Sequence, residues 1–169
     1  FLEGKEELIL QEQRCVLLAG ITVTGGHIQF SVSDTAAGLT GLVTADFDAL
    51  KAAILANGGT VTVTGNTSAA DAATLYTAFG SHVVYTIADT GANVAGLAAG
   101  VLTHAAAINV TGATAAEAAT IETAAGSTVP LSIAITDTAA ALNTAIAANT
   151  GLLDRVSGVT LSDGAVKTV

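Results

Sequence analysis

The amino-acid sequence predicts an α/β fold, a right-handed parallel solenoid in which a strand and a helix alternate in coils of about 24 residues. Three observations predict it. Strand-like segments of alternating apolar and polar residues recur along the chain, and alanine-rich segments with helix-capping signals connect them. The 169 residues are 51% hydrophobic but only 4% aromatic, and Met and Trp are absent. Such small apolar side chains suit a thin core in which short helices lie close to a sheet.

Residues 1–26 are predicted to form an N-terminal cap, and residues 27–169 to form the repeats. The segment before Cys15 is rich in charged residues, and a solenoid needs a polar element over the apolar end of its first coil. Two alternating runs within Ile21–Asp34 meet at Gly25-Gly26 and predict an antiparallel hairpin. The last coil begins near Val159 and is incomplete, so we expect the array to continue or to pair with another chain.

Two classes of strand alternate along the repeats. The first class ends in Asp and is predicted at Ile28–Asp34, Val83–Asp89 and Leu131–Asp137. The second ends in Gly or Asp and is predicted at Ile21–Gly25, Val61–Gly65, Ile108–Gly112 and Val159–Asp163. After the hairpin, the strand ends recur with a period of roughly 24 residues, which is typical of stacked strand–helix coils. The longest unit, from Asp34 to Gly65, holds an insertion with two apolar segments, 39–43 and 46–56.

The connecting segments are predicted to be helices. Capping boxes at Ser68–Asp71 and Thr114–Glu117 mark two helix starts, because the hydroxyl and the acid satisfy otherwise unpaired amides of the first turn. Val94, Leu97 and Val101 have the i, i+3, i+7 spacing of one apolar helix face. Helix stops are predicted at glycines: Gly58-Gly59, Gly80, Gly126 and Gly151.

The strands joined by helices are predicted to be parallel, because a strand–helix–strand connection within one sheet is almost always right-handed. The helices then cover one face, as in the horseshoe layout of leucine-rich repeats, although the leucine consensus is absent. The other face stays open, and a threonine-rich binding face is predicted there: Thr62, Thr64, Asn109, Thr111 and Thr160. Threonine is also a good strand former on a solvated face, which explains the same residues without a ligand.

Three segments, Ser33–Leu39, Ala88–Val94 and Thr136–Leu142, share the pattern Asp-Thr-Ala/Gly-Ala. They resemble the Asp-Thr-Ala-Ala-Asn-Leu-type repeats of large bacterial secreted and cell-surface proteins, among them adhesins and surface-layer-like proteins. The resemblance covers residues 28–169 and implies an acidic repeat protein exported by type I secretion. The Gly-Gly-x-Gly-x-Asp calcium nonapeptide of the repeats-in-toxin proteins is absent, so the resemblance assigns calcium binding to no residue.

Asp34, Asp89 and Asp137 recur at the ends of the first strand class, just before a helix. One interpretation is a column of carboxylates that binds Ca²⁺ between coils. The other is helix N-capping, in which Asp and Thr bond the first-turn amides. Capping is favoured, because these aspartates fall on every second coil and cannot form a continuous ladder. No cofactor is therefore predicted, and calcium remains the alternative.

No set of residues predicts catalysis, so the chain is not expected to be an enzyme. His27 and His82 precede equivalent strands, but Thr128 takes the third position, and His104 lies near a helix end. A metal site needs at least three converging donors. Cys15, the only cysteine, has no histidine nearby to act as its base.

The charge distribution also limits the classes of partner that the chain can bind. The chain has 14 acidic and 5 basic residues, a net charge of −9, and its basic residues form no cluster, which argues against nucleic-acid binding. No run of about 18 apolar residues predicts a membrane span. We therefore expect a structural segment of an extracellular, cell-surface or matrix-forming bacterial protein, acting as a spacer or as a self-assembling unit of filaments or sheets. The alternative is a module that binds a glycan or a protein through its threonine-rich face.

Overall fold

The structure, a computed structural model, describes residues 17–24 and 27–164. Within them, seven strands form one sheet: β1 Leu17–Thr24, β2 His27–Thr35, β3 Thr60–Thr67, β4 Val83–Thr90, β5 Ala107–Ala113, β6 Leu131–Asp137 and β7 Val156–Leu161. The order of the strands in the sheet is their order along the chain. β1 is antiparallel to β2, and the six strands from β2 to β7 are all parallel. The predicted α/β class and the parallel pairing are confirmed.

Seven α-helices connect the strands in this part of the chain: α1 Ala36–Thr40, α2 Thr44–Asn57, α3 Ala69–Phe79, α4 Gly91–Ala95, α5 Ala99–Thr103, α6 Ala115–Ala125 and α7 Ala139–Ala148. Two 3-10 turns, Gly80–His82 and Leu152–Arg155, lead into β4 and β7. We call a strand together with the helical segment that follows it a unit. Each unit adds one strand to the sheet, so neighbouring units in the sequence are also neighbours in space.

The core lies between the helices and one face of the sheet. In β3 the side chains alternate, since Val61 and Val63 are buried whereas Thr60, Thr62 and Thr64 are exposed. The helices contribute a matching set of buried residues: Leu39, Ile54, Leu75, Val94, Ile121 and Leu142. Burying one such aliphatic side chain stabilises the fold by roughly 1.5–3 kcal/mol. This packing leaves the opposite face of the sheet open, as the alternation predicts.

The predicted hairpin is confirmed. β1 and β2 pair in antiparallel register from Thr24 opposite His27 to Leu17 opposite Ser33. The joining residues, Gly25-Gly26, lie outside the described residues. Of the cap predicted over residues 1–26, the structure describes β1, and the remainder, like Cys15, lies outside the described part of the chain.

Three strand ends differ from the prediction. β3 and β5 do not stop at Gly65 and Gly112; these glycines lie inside the strands with φ of 75° and 60°. The pairing of β3 with β4 and of β5 with β6 shifts at these points, so each glycine forms a bulge, which its missing Cβ permits. β7 runs from Val156 to Leu161 instead of Val159–Asp163. Its alternation is broken by Gly158, next to a register shift against β6, and the sequence pattern therefore places the strand too late.

The helix starts at the two capping boxes are confirmed. Ser68 Oγ accepts from the Asp71 amide at 3.1 Å, and Thr114 and Glu117 form both bonds of the box. The single helix predicted from Val94, Leu97 and Val101 is wrong, because α4 ends at Ala95 and a new helix begins at Ala99.

Glycines account for most of the observed helix ends. Gly96 provides the C-cap of α4, and glycine is a poor residue for a helix interior. The stops at Gly58, Gly80 and Gly126 are confirmed, each with positive φ. Gly151 is not a stop, because α7 ends at Ala148 with Asn149 as its C-cap.

Candidate functional site

The aspartates at the strand ends form the most regular polar arrangement in the described chain. Asp89, at the end of β4, accepts a hydrogen bond at Oδ2 from the Ala69 amide at 2.9 Å. Ala69 is the first residue of α3, which belongs to the preceding unit. Oδ1 of Asp89 accepts from the Thr90 amide at 2.7 Å and from Asn93 Nδ2 at 2.9 Å. The side chain therefore ties one unit to the next.

The same bond recurs in two later units. Oδ2 of Asp137 accepts from the amide of Ala115, the first residue of α6, at 2.9 Å. Oδ2 of Asp163 accepts from the amide of Ala139, the first residue of α7, at 3.0 Å. We call these three contacts, Asp89–Ala69, Asp137–Ala115 and Asp163–Ala139, the interunit clasps. Each places a carboxylate at a helix N-terminus, where the unpaired amides and the helix dipole favour negative charge.

Helix capping is the favoured interpretation of Asp34, Asp89 and Asp137, and Asp89 and Asp137 do cap helices, but each caps the helix of the preceding unit. After Asp34 and Asp137 a threonine side chain caps the following helix, whereas Thr90 after Asp89 makes no such bond. Thr35 Oγ1 accepts from the Gly38 amide at 3.0 Å, and Thr138 Oγ1 from the Ala141 amide at 3.2 Å. The Asp137-Thr138 pair thus serves two helix starts in two adjacent units.

The hydrogen bonds of Asp89 also govern its ionisation. The Ala69 amide, then the Asn93 side chain and the Thr90 amide hold the pKa of Asp89 below its ordinary value. Each of these donors stabilises the charged carboxylate. The clasp at Asp89 is therefore an ionic cap at neutral pH.

Asp34 occupies the same strand position but makes no clasp in the described chain. Its Oδ1 accepts from the Thr35 amide at 2.6 Å, within its own unit. The strand beside β2 on that side is the antiparallel β1, so no described helix of a preceding unit offers an amide to Asp34. Its carboxylate lies over Gly38, where an added Cβ would approach Oδ1 to 2.4 Å.

The calcium column considered for Asp34, Asp89 and Asp137 would require these carboxylates to converge. They end different strands of the sheet, and their oxygens point at amide donors. Within the described residues, no three His, Cys, Asp or Glu side chains come together as a set that could hold a metal ion.

The five residues of the predicted threonine-rich face are all exposed: Thr62, Thr64, Asn109, Thr111 and Thr160. They do not form a continuous array. Thr62 pairs with Val84 of β4, which is 44% exposed, and Asn109 lies between Ala88 and Ser132. Hydroxyl residues do pair between single neighbouring strands, as in Thr64 with Thr35, Thr111 with Thr90 and Thr160 with Thr136, but Val84 and Ala88 interrupt the rows between them.

Both described histidine side chains have local structural partners. His82 Nδ1 lies 2.8 Å from the Gly59 carbonyl, and His104 Nδ1 lies 3.0 Å from the Gly100 carbonyl. A carbonyl only accepts, so Nδ1 carries the proton in each ring. The His104 ring also packs against Tyr76, with 5.0 Å between centroids. The side chains of His27 and Cys15 lie outside the described part of the chain.

The sequence did not reveal a polar network near the end of the array. Arg155 donates to the carbonyl oxygens of Gly126 and Val129 and lies 3.9 Å from Glu122. Asn149 Nδ2 donates to Glu122 Oε2 at 2.6 Å. The network joins the C-terminal end of α6 to the residues that lead into β7. Its hydrogen-bonded partners lie far apart in the sequence and share no motif, so no sequence pattern could have indicated it.

One buried polar group lies deep in the core. Tyr85 is 1% exposed, and its hydroxyl donates to the Val101 carbonyl at 2.8 Å. Burial, with a smaller contribution from Tyr76, raises the pKa of the Tyr85 phenol well above its usual range. The group therefore stays neutral and serves as a hydrogen-bonded core residue that links β4 to α5.

A shallow cleft lies where α3 begins beside α4. Its volume is about 390 Å³, and its lining includes Ala70, Asp89, Ala92, Asn93 and Leu97. The two polar groups in it, Asp89 and Asn93, are hydrogen-bonded to each other. The cleft thus lies over an interunit clasp.

No family model matches the chain, and searches of curated proteins and of solved structures found no match. Among residues 17–24 and 27–164, no helix combines the length and the apolar character needed to cross a membrane.

Proposed function

We propose that the chain is a structural repeat segment of an extracellular, cell-surface or matrix-forming bacterial protein, built as a right-handed strand–helix solenoid with an N-terminal cap. The interunit clasps carry this proposal. Each of the three joins one unit to the unit before it through a backbone amide. In a repeat array, stability comes from such nearest-neighbour contacts, so a spacer of this kind can be lengthened one unit after another.

The distribution of polar groups supports a scaffold. The aspartate oxygens bond helix amides, the histidines bond carbonyls, and Arg155 bonds two more carbonyls. Each of these side chains is engaged in holding the backbone. A nucleophile needs a general base within reach, and the described pair of this kind, Ser68 Oγ donating to Asp71 Oδ2 at 2.8 Å, is engaged at the start of α3. We therefore propose a non-enzymatic role.

A second candidate is a module that binds a glycan or a protein on the open sheet face. The observation that favours it is Val84, a 44% exposed apolar side chain beside the exposed Thr62. Sugars and protein surfaces carry both apolar groups and hydroxyl groups, as this part of the sheet does with Val84 and Thr62. A glycan array with wild-type protein and with Val84→Asp tests this candidate, and binding that the substitution leaves unchanged contradicts it.

The scaffold proposal is tested by locating the protein in the cells that produce it. Antibodies raised against this chain are used for immunogold labelling of intact and of permeabilised cells. We expect label on the surface or in the surrounding matrix of intact cells. Label that requires permeabilisation contradicts the proposal, and a known cytosolic protein labelled in parallel controls for leakage.

A further inference from the structure

The two ends of the sheet carry exposed apolar side chains. Five large apolar residues are exposed in the described chain, and four of them lie toward its two ends. Val43 and Leu55, 65% and 46% exposed, flank or lie in α2 of the first helix-bearing unit. Leu153, 46% exposed, lies in the turn that leads into β7, and Val159, 44% exposed, lies in β7 itself.

Val159 is the exposed end of a row of core residues. Ala113 of β5 pairs with Ile135 of β6, and Ile135 pairs with Val159 of β7. Ala113 is fully buried and Ile135 is 1% exposed, whereas Val159 is 44% exposed. The row loses its cover only at β7, which is the edge strand of the described sheet. A further strand beside β7 would bury Val159 as β7 helps to bury Ile135.

Leu55 shows the same situation at the other end. It lies six residues before the core residue Val61, as Leu102 lies six residues before Ile108. Leu102 is 1% exposed, and its helix, α5, packs between α3 and α6. The helix of Leu55, α2, packs on α3 and on β2, and no helix of an earlier unit is described that could cover its other side. A leucine that is buried in an interior unit is thus uncovered in the first one.

The sheet edges at the two ends fit each other. β1 is antiparallel to β2, and β2 to β7 are parallel, so β1 is antiparallel to β7. A β1 edge placed beside the β7 edge of another molecule would extend the sheet by an antiparallel ladder.

We propose that the partner of each end is a second copy of this chain, docked head to tail. The β7 edge with Val159 and Leu153 contacts the β1 edge of the next molecule, next to its Leu55 and Val43. Such a contact joins two different surfaces, so it continues from one molecule to the next and generates a ring or an open chain of molecules. The proposal deepens the scaffold function and rests on it, since it names the partner of the assembly unit.

The test uses two variants, each of which blocks one end. Val159→Asp places a charge on the C-terminal end, and Leu55→Asp on the N-terminal end. Sedimentation velocity over a hundredfold range of protein concentration should show the wild-type mass rising beyond the dimer. Each variant alone should remain a monomer. An equimolar mixture should form a dimer and nothing larger, because it holds one intact end of each kind.

Ala116→Asp is the control, because Ala116 is an exposed residue of α6, in an interior unit away from both ends; it should assemble like the wild type. Circular dichroism checks that every variant is folded, and Leu55→Ser replaces Leu55→Asp if the charge unfolds the chain. A Leu55 variant that still dimerises overturns the proposal in favour of a symmetric β7 contact. A wild-type chain that is monomeric throughout also overturns it.

The failure of head-to-tail docking is distinguishable from the failure of the scaffold function. A monomeric wild type together with surface label on intact cells leaves the scaffold function standing without this partner. If the wild type assembles in solution but label appears only in permeabilised cells, head-to-tail docking stands and the scaffold function at the cell surface fails.

Discussion

The carboxylate of Asp137 accepts a hydrogen bond from the backbone amide of Ala115 at 2.9 Å, although the two residues are far apart in the sequence. Asp137 ends β6, and Ala115 begins the helix that leads into β6. One side chain thus fixes where a helix of one unit starts relative to the strand of the next. We expect such bonds to account for much of the cohesion between units.

Replacing a clasp aspartate should therefore destabilise the protein more than replacing its unclasped counterpart. Loss of a helix N-terminal cap costs about 0.5–2 kcal/mol, so we expect Asp137→Ala to lower the free energy of unfolding by about 1 kcal/mol. Asp34→Ala is the matched control, because Asp34 makes no bond to a described helix of a preceding unit, and its effect should be smaller. Urea denaturation followed by circular dichroism measures both. Equal losses would show that the clasp itself contributes nothing.

The ionisation of Asp89 predicts a loss of stability in acid. Its folded pKa is lowered below the ordinary value of 3.8, chiefly by the Ala69 amide. A lowered folded pKa means that the stabilisation is complete above the unfolded pKa and is lost as pH falls through the folded pKa. The urea midpoint should thus decline as pH falls below 3.8, and Asp89→Asn should flatten this part of the profile.

The Asp89→Asn profile is compared with that of Asp48→Asn, which removes an exposed carboxylate of α2. The comparison separates the clasp from the general effect of the net charge. If both variants have the same acid profile as the wild type, the clasp charge has no role in stability.

Thr67 should tolerate, and benefit from, the loss of its hydroxyl. The residue is 1% exposed, and Oγ1 has no hydrogen-bond partner among the described residues. An unsatisfied buried polar group costs about 1–3 kcal/mol, and valine has nearly the same shape as threonine. Thr67→Val should raise the thermal midpoint and the free energy of unfolding by about 1 kcal/mol. Thr64→Val, at an exposed site of the same strand, should change them little, and a destabilised Thr67→Val contradicts the prediction.

Gly91 should not accept a side chain. A Cβ built there lies 2.4 Å from Ala113 Cα and 2.6 Å from Ala113 Cβ, and backbone atoms cannot move aside cheaply. Overpacking of this kind costs about 1–3 kcal/mol, so Gly91→Ala should lower the free energy of unfolding by that amount. Gly96→Ala is the control, because its nearest atoms would be 3.7 Å away. Chemical denaturation measures the free energy of unfolding of the two alanine variants. Equal values would contradict the close approach of α4 to β5.

Local signals made most of the elements predictable. The capping boxes at Ser68 and Thr114, most of the glycine stops and the hairpin depend on residues a few positions apart, and these are confirmed. The split between α4 and α5 was missed, because the apolar spacing of Val94, Leu97 and Val101 continues through a break at Gly96. Periodicity of side chains does not record whether the backbone hydrogen bonds continue.

The interunit clasps could not be predicted from the sequence pattern. The recurrence of Asp34, Asp89 and Asp137 was visible, and helix capping was inferred, but the choice of helix depends on strand register. Ala115 meets Asp137 beside a bulge at Gly112 that displaces the pairing of β5 with β6. A register shift of one strand against another is a tertiary property, set by packing between units. The Arg155 network depends on the same kind of long-range placement.

The bulges have a consequence for how this chain can grow or shrink during evolution. They occur at Gly65 and Gly112, in alternate strands, and the two glycines are almost as far apart in the sequence as Asp89 and Asp137. Duplicating one unit alone would put two bulged strands, or two unbulged strands, side by side and change the register on which the clasps depend. Duplicating a pair of units would keep this alternation, so we expect length variants of this gene to differ by whole pairs.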